Sequence, residues 1–300
     1  MLHNDKELFE QVILKTSEDM GIDASIIEKD YFVTLFLKEL SKVLPRIIFK
    51  GGTSLSKCHK LIKRFSEDID LNIEYETKAP EGQRKKLKKT IISVIDELEL
   101  ELVNPEAVRS RRDYNRYVVD FSSVFKSGAL KQHLIVETAV YIKAYPNETM
   151  EASSLIYDYL AVNGFNDLIK EHDLEPFLLN VQSARRTFID KIFALADYYL
   201  DGKVREHSRH VYDLHKLMEV VTIDEELKAL MNQVRQERKN HKQCLSAQDD
   251  INLNDLLLKI INEDVYRADY EAITETLLFE DVPYKQAVVT LQKICDSDLF

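Results

Sequence analysis

Phe49-Lys-Gly-Gly-Thr-Ser-Leu55, followed after a short basic stretch by Arg64-Phe-Ser-Glu-Asp-Ile-Asp-Leu71, decides how this 300-residue chain is read. Gly51 and Gly52 lack a Cβ, so their backbone N–H groups can approach an anion closely, and Thr53 or Ser54 can add a hydroxyl donor where a helix begins. That is the chemistry of a phosphate seat. Asp68 and Asp70 alternate with Ile69 and Leu71, so in a strand both carboxylates point to one face while the apolar residues enter the core. Adjacent carboxylates repel unless a cation lies between them, and hard oxygen ligands beside a phosphate seat suit Mg²⁺. Taken singly, the glycines also read as an ordinary turn and the aspartates as a solvated edge strand. Their coupling, with an apolar strand before the glycines and a helix between the two elements, favours a metal–nucleotide site.

Outward from this core the chain reads as α/β. Residues 5–20 and 24–43 carry helical spacing, with Asp23 or Ser25 as caps and a break at Pro45. Arg46–Phe49 reads as a short strand, Ser54–Ile62 as a helix, Ile69–Tyr75 as a strand and Arg84–Glu101 as a helix, with further strands at Tyr117–Phe121 and His133–Tyr141. Beyond residue 180 only helical periodicity is expected, at 185–200, 208–220, 224–242, 251–263, 268–279 and 284–295. The expected division is 1–180 and 181–300, although Pro176–Asn180 marks the boundary only weakly.

Composition narrows the function classes. With 45% hydrophobic and 31% charged residues, the chain is ordinary for a soluble globular protein. No apolar run reaches the roughly 18 residues needed to span a bilayer, and the N-terminus lacks a signal-peptide profile, so the expectation is a cytoplasmic protein without a membrane role. Cys58, Cys244 and Cys295 have no metal-ligand spacing, and His207, His210 and His215 lack the pairing of a zinc helix. The net charge of −11 opposes a polyanionic substrate, but residues 243–300 hold twelve Asp/Glu against four Lys/Arg, so the acidity is largely C-terminal. Among the basic clusters, Lys57, Lys60, Lys63 and Arg64 lie within the motif region and are the ones expected to face a polyanion; the others read as solvated helix faces.

Three further positions carry chemistry. Glu137 interrupts the apolar run Leu134–Val140 and must therefore meet solvent, a base or a cation. Lys191 lies between Ile189 and Ile192, near the buried stripe of a helix, where an ammonium could reach triphosphate oxygens; an amphipathic helix explains it nearly as well. Arg209, Tyr212 and Asp213 share a later helix, on which Asp213 would cap or form a salt bridge.

The quoted stretches resemble the signature of the AbiEii/AbiGii toxin family of nucleotidyltransferases. Arg186-Thr-Phe-Ile-Asp-Lys191 and Arg209-His-Val-Tyr-Asp-Leu214 are similar to its later blocks, in the same order, so the resemblance spans roughly residues 30–217. Cys58-His59 replaces an expected Ala-Tyr in helix filler. The resemblance implies a polymerase-β-like nucleotidyltransferase domain with a mixed sheet, followed by a mainly helical domain. It implies that Gly51, Gly52, Thr53 and Ser54 hold triphosphate, that Asp68 and Asp70 bind Mg²⁺ or Mn²⁺, and that Glu137 is the third metal acid. Lys191 matches the family's essential lysine, with Arg209 as a further nucleotide contact. Asp213 matches the acid of the last motif, either catalytic or orienting Lys191 or Arg209. The function so implied is that of the toxin of a type IV-like toxin–antitoxin or abortive-infection system. It would transfer NMP from an NTP to an acceptor, favouring the tRNA 3′ end by similarity to MenT-type toxins, with an antitoxin protein as partner. Nucleotidylation of a protein or small molecule, and a non-catalytic binding module, are the alternatives.

Overall fold

Asp5 opens the first long helix, α1 (Lys6–Met20), by accepting a hydrogen bond from Leu8 N at 3.1 Å, and Gly21 at φ 66 ends it. Asp23, rather than Ser25, caps α2 (Ala24–Val43), which stops just before Pro45. The two helices bury Phe9, Val12 and Ile13 with Ile27, Tyr31, Phe32, Phe36 and Leu37, and the Phe32 ring stacks on Phe121 at 4.4 Å between centroids. In this computed structural model the described residues are 1–66, 68–76, 79–125 and 133–300; Glu67 of the central motif lies outside them. The chain divides into two units, one formed by 1–59 and 66–182, the other by 60–65 and 183–300.

The first unit is built on a mixed sheet. Its strands are β1 (Ile47–Lys50), β2 (Asp68–Ile73), β3 (Glu101–Leu102), β4 (Tyr114–Asp120), β5 (His133–Ala139), β6 (Asn147–Ala152) and β7 (Phe177–Gln182), in the order β3-β4-β5-β2-β1-β7-β6. β1 runs antiparallel to β2 and parallel to β7, while β2 runs parallel to β5. Ile47, Phe49, Ile69, Leu71, Leu134 and Val136 are buried, which accounts for the apolar alternation on these strands. Two helices separate strands here: α3 (Gly51–Lys57) and α4 (Glu81–Glu97). Two more, α5 (Leu155–Val162) and α6 (Asn166–Glu171), lie between β6 and β7.

The expected strand–glycine–helix–strand order is present, with shifted bounds. The helix starts at Gly51 itself and stops at Lys57, so residues 58–63 are irregular rather than helical. β6 and β7 escape a sequence reading for physical reasons. Asn-Glu-Thr-Met-Glu-Ala is a polar edge strand without an apolar alternation, and Phe-Leu-Leu-Asn-Val-Gln is too short to separate from a helix fragment.

The second unit is helical among its described residues: α7 (Ala184–Leu200), α8 (Arg209–Leu217), α9 (Glu225–Lys239), α10 (Leu253–Asn262) and a last helix, Tyr284–Cys295. The helix expected over 268–279 is present over 267–277, with a π-helical turn at Tyr270–Thr274 between short α-helical pieces. Tyr270 and Thr274 are both buried there, bonded to Val282 O at 2.9 Å and to Ser208 Oγ at 2.7 Å. Residues 63–65 are held by this unit's backbone, with Phe65 N donating to Leu277 O and Phe279 N to Lys63 O.

One sequence expectation is corrected here. Lys57 and Arg64 do not face a polyanion, because both are buried against carboxylates. Lys57 Nζ lies 2.5 Å from Asp30 Oδ1 and 2.6 Å from Thr34 Oγ1, and the other Asp30 oxygen accepts from Leu155 N. Removing one partner of such a pair strands the other charge. Asp30→Asn should therefore lose about 3 kcal/mol of stability in urea unfolding, and adding Lys57→Met should recover part of that loss.

Candidate active site

β1 passes into α3 at Gly51 without a loop, and the backbone there takes φ 76, a conformation that suits glycine. Space imposes a second requirement. A Cβ built on Gly51 would sit 2.0 Å from Asp70 Oδ2 and 2.8 Å from its Cγ, so the Asp70 carboxylate lies directly against the glycine backbone. Pairing of Lys50 with Asp70 across β1 and β2 sets this approach. Thr53 Oγ1 donates to Asp68 O at 2.6 Å and accepts from Ser66 Oγ at 2.9 Å, and Ser54 Oγ donates to Gly51 O at 2.9 Å. Both hydroxyls are buried; Thr53 ties the turn to β2 and Ser54 closes the turn on itself. The first turn of α3 carries no side-chain cap.

Asp68 and Asp70 occupy one face of β2 while Ile69 and Leu71 are fully buried on the other. On the neighbouring parallel strand Glu137 stands in register with Asp70. Burial raises the Glu137 pKa, and the charges of Asp70 and then Asp68 raise it further. The Tyr114 phenol and Glu137 interact electrostatically, and Arg116 Nε lies 3.4 Å from Glu137 Oε1. These oxygens are of the hard, anionic kind that holds a divalent cation, and their mutual repulsion is what such a cation would relieve. Glu137 is engaged by Tyr114 and Arg116, and among the described residues no three His, Cys, Asp or Glu side chains converge closely enough to hold a metal as they stand.

Within the second unit a separate constellation forms around Asp213, which is fully buried. Arg64 grips it with two parallel bonds, Nε to Oδ1 at 2.7 Å and Nη2 to Oδ2 at 2.9 Å, and Lys191 Nζ lies 2.7 Å from Oδ2. Burial alone would raise the Asp213 pKa, but Arg64 and Lys191 overcome it and hold the carboxyl well below the usual range. Burial lowers the Lys191 pKa, opposed by Asp213 and reinforced by Arg64 and Arg209. His210 Nδ1 lies 3.3 Å from Lys191 Nζ, and burial, then the Lys191 charge, keep the imidazole neutral, so its Nδ1 accepts from the ammonium. His207 stacks face to face on Tyr198, with ring centroids 3.4 Å apart.

The structure therefore assembles Gly51, Asp68, Asp70 and Glu137 in the first unit, and Lys191 with Asp213 in the second, where Arg209 contributes charge. Asp213 meets Arg64 and Lys191. Arg64, His210, Tyr114 and Arg116 escaped the sequence reading as site residues. Arg64 and His210 stand inside motif blocks, but a partner far along the chain leaves no local trace; Tyr114 and Arg116 precede the strand expected at Tyr117–Phe121, and Arg116 stands in a basic cluster that reads as a solvated face.

A family model described as nucleotidyl transferase AbiEii toxin, type IV TA system, matches residues 35–290. The chain belongs to this family. Comparison with curated proteins finds none that matches. The match covers both constellations, and AbiEii membership makes this chain a nucleotidyltransferase enzyme of a type IV toxin–antitoxin family. No helix among the described residues is long and apolar enough to cross a membrane.

Two outcomes follow for this AbiEii site. Gly51→Ala forces the Asp70 carboxylate aside and strains φ, so it should reduce nucleotidyl transfer at least about 10²-fold in a single-turnover assay while costing only about 1–2 kcal/mol of stability. Burial, with a contribution from Arg209, lowers the His207 pKa from 6.5 to about 4. The unfolded chain then takes up the proton first, so stability present above pH 6.5 is lost as pH falls toward 4. His207→Gln should remove about 1 kcal/mol of that pH dependence, read from urea midpoints at pH 7 and pH 4.5.

Proposed function

We propose that this AbiEii protein transfers a nucleoside monophosphate from an NTP to a hydroxyl of an RNA acceptor, favouring the tRNA 3′ end, in a Mg²⁺-dependent reaction. The observation that carries the reading is the Asp70 carboxylate, with Asp68 on the same face of β2, lying against a glycine turn whose conformation and clearance both require glycine. Asp68 and Asp70 would hold the divalent cation, with Glu137 as third acid once it leaves Arg116. When bound, that cation neutralises phosphate charge and lowers the pKa of the attacking hydroxyl.

The remaining roles belong to the chain. The backbone of Gly51 and Gly52 lets the triphosphate approach without a side chain in the way, and Thr53 and Ser54 act by fixing that turn through their internal hydrogen bonds. Lys191 and Arg209 supply cationic contacts to nucleotide phosphates. Asp213, clamped by Arg64, orients Lys191 and keeps its ammonium charged against the pull of burial. The acceptor hydroxyl gives up its proton to the acidic cluster and attacks the α-phosphorus. A new P–O bond to the acceptor forms, the bond to the bridging oxygen breaks, and pyrophosphate leaves with that electron pair. The family is one half of a toxin–antitoxin pair, so a cognate antitoxin is the proposed protein partner.

A second reading, nucleotidylation of a protein side chain or small molecule, draws on the net charge of −11 and on the burial of Lys57 and Arg64, which removes two cations from any polyanion surface. Purified protein incubated with each α-labelled NTP, Mg²⁺ and total tRNA separates the two. Label entering tRNA with wild type but not with Asp68→Ala/Asp70→Ala, and fading steeply with added salt, is the expected result. Intact NTP binding without label in tRNA would move the acceptor to the second class.

A further inference from the structure

Tyr114 and Arg116 lie two residues apart on β4, so both belong to one face of the sheet, and Arg116 pairs in register with Glu137 on β5. That face is the one carrying the acids. Arg116 reaches Glu137 at 3.4 Å while its side chain remains 52% exposed. A guanidinium in that position could turn to solvent and keep full hydration, yet it rests on the acid that Asp70 and Asp68 crowd from the next strand. The same contact occupies Glu137 in a set of acids that does not converge as a metal site among the described residues. Nothing in the glycine–aspartate motif anticipates this cation.

We propose that Arg116 is a positioning residue that competes with the divalent metal for Glu137. It holds the third acid aside in the metal-free protein and releases it when the metal enters between Asp68 and Asp70. The balance is electrostatic. One guanidinium offsets part of the charge of three clustered carboxylates, which keeps the metal-free site tolerable and lowers its affinity for a stray cation. The released guanidinium then becomes available to an anion. The inference rests on the reading of Asp68, Asp70 and Glu137 as metal ligands.

Mn²⁺ titration of the full-length protein, followed by the EPR signal of the free ion, tests it without any assay of activity. Arg116→Gln should bind Mn²⁺ about 5-fold more tightly than wild type, and Arg116→Lys should return most of the way to wild-type affinity. Arg112→Gln removes one charge from the same region, but Arg112 meets the Ala107 carbonyl, so affinity should stay within about 1.5-fold of wild type. Equal tightening by Arg112→Gln and Arg116→Gln would overturn the competition in favour of a general field. So would unchanged or weaker binding in Arg116→Gln when wild-type binding is abolished by Asp70→Asn, an outcome that leaves the metal reading standing. No Mn²⁺ binding by wild type would remove both.

Discussion

The approach of the Asp70 carboxylate to the Cα of Gly51 is the constraint on which the first unit's chemistry depends. A strand must end and a helix begin in the very next residue, and a carboxylate from the antiparallel neighbour must fill the space a side chain would take. Glycine satisfies the positive φ and the clearance together. Thr53 and Ser54 then spend their hydroxyls on holding that arrangement, and the parallel partner strand brings Glu137 alongside. Glu137 is thereby set beside Asp70, with Asp68 on the same face and Arg116 Nε 3.4 Å from Glu137, an arrangement whose repulsion a divalent cation would relieve.

Asp213 does for the second unit what the glycine turn does for the first. Burying a carboxylate without counter-charge is prohibitive, and the bidentate Arg64 together with Lys191 makes it tolerable. The consequence for Lys191 is orientation: one donor is fixed on Asp213 and another on the neutral His210. The segment that supplies Arg64 is drawn from the stretch just before Asp68 and Asp70, so one motif serves two units.

Much of this was legible in the chain, for identifiable reasons. The alternation of Asp68, Ile69, Asp70 and Leu71, the break in the run around Glu137, and Lys191 within a buried stripe are local signals, and local signals survive in one dimension. The alliance of Arg64 with Asp213 is set by pairing across the fold, so the cluster Lys57–Arg64 looked like a surface for polyanions when two of its members are internal counter-ions. β6 and β7 were illegible because a polar edge strand and a six-residue apolar run carry no period that excludes other conformations. The helix expected over 268–279 is present as a continuous helical stretch over 267–277, and no local signal marks the π turn at Tyr270–Thr274 within it, where Tyr270 and Thr274 are buried.

The central claim, that the glycine-backed aspartate pair is the metal and nucleotide centre, is tested most directly by anomalous diffraction from crystals grown with Mn²⁺ and a non-hydrolysable NTP analogue. The account predicts a manganese peak bound by Asp68 and Asp70, with phosphate oxygens on the ion and the triphosphate over the Gly51–Gly52 backbone. Analogue bound elsewhere, with no manganese at the two aspartates, would contradict it.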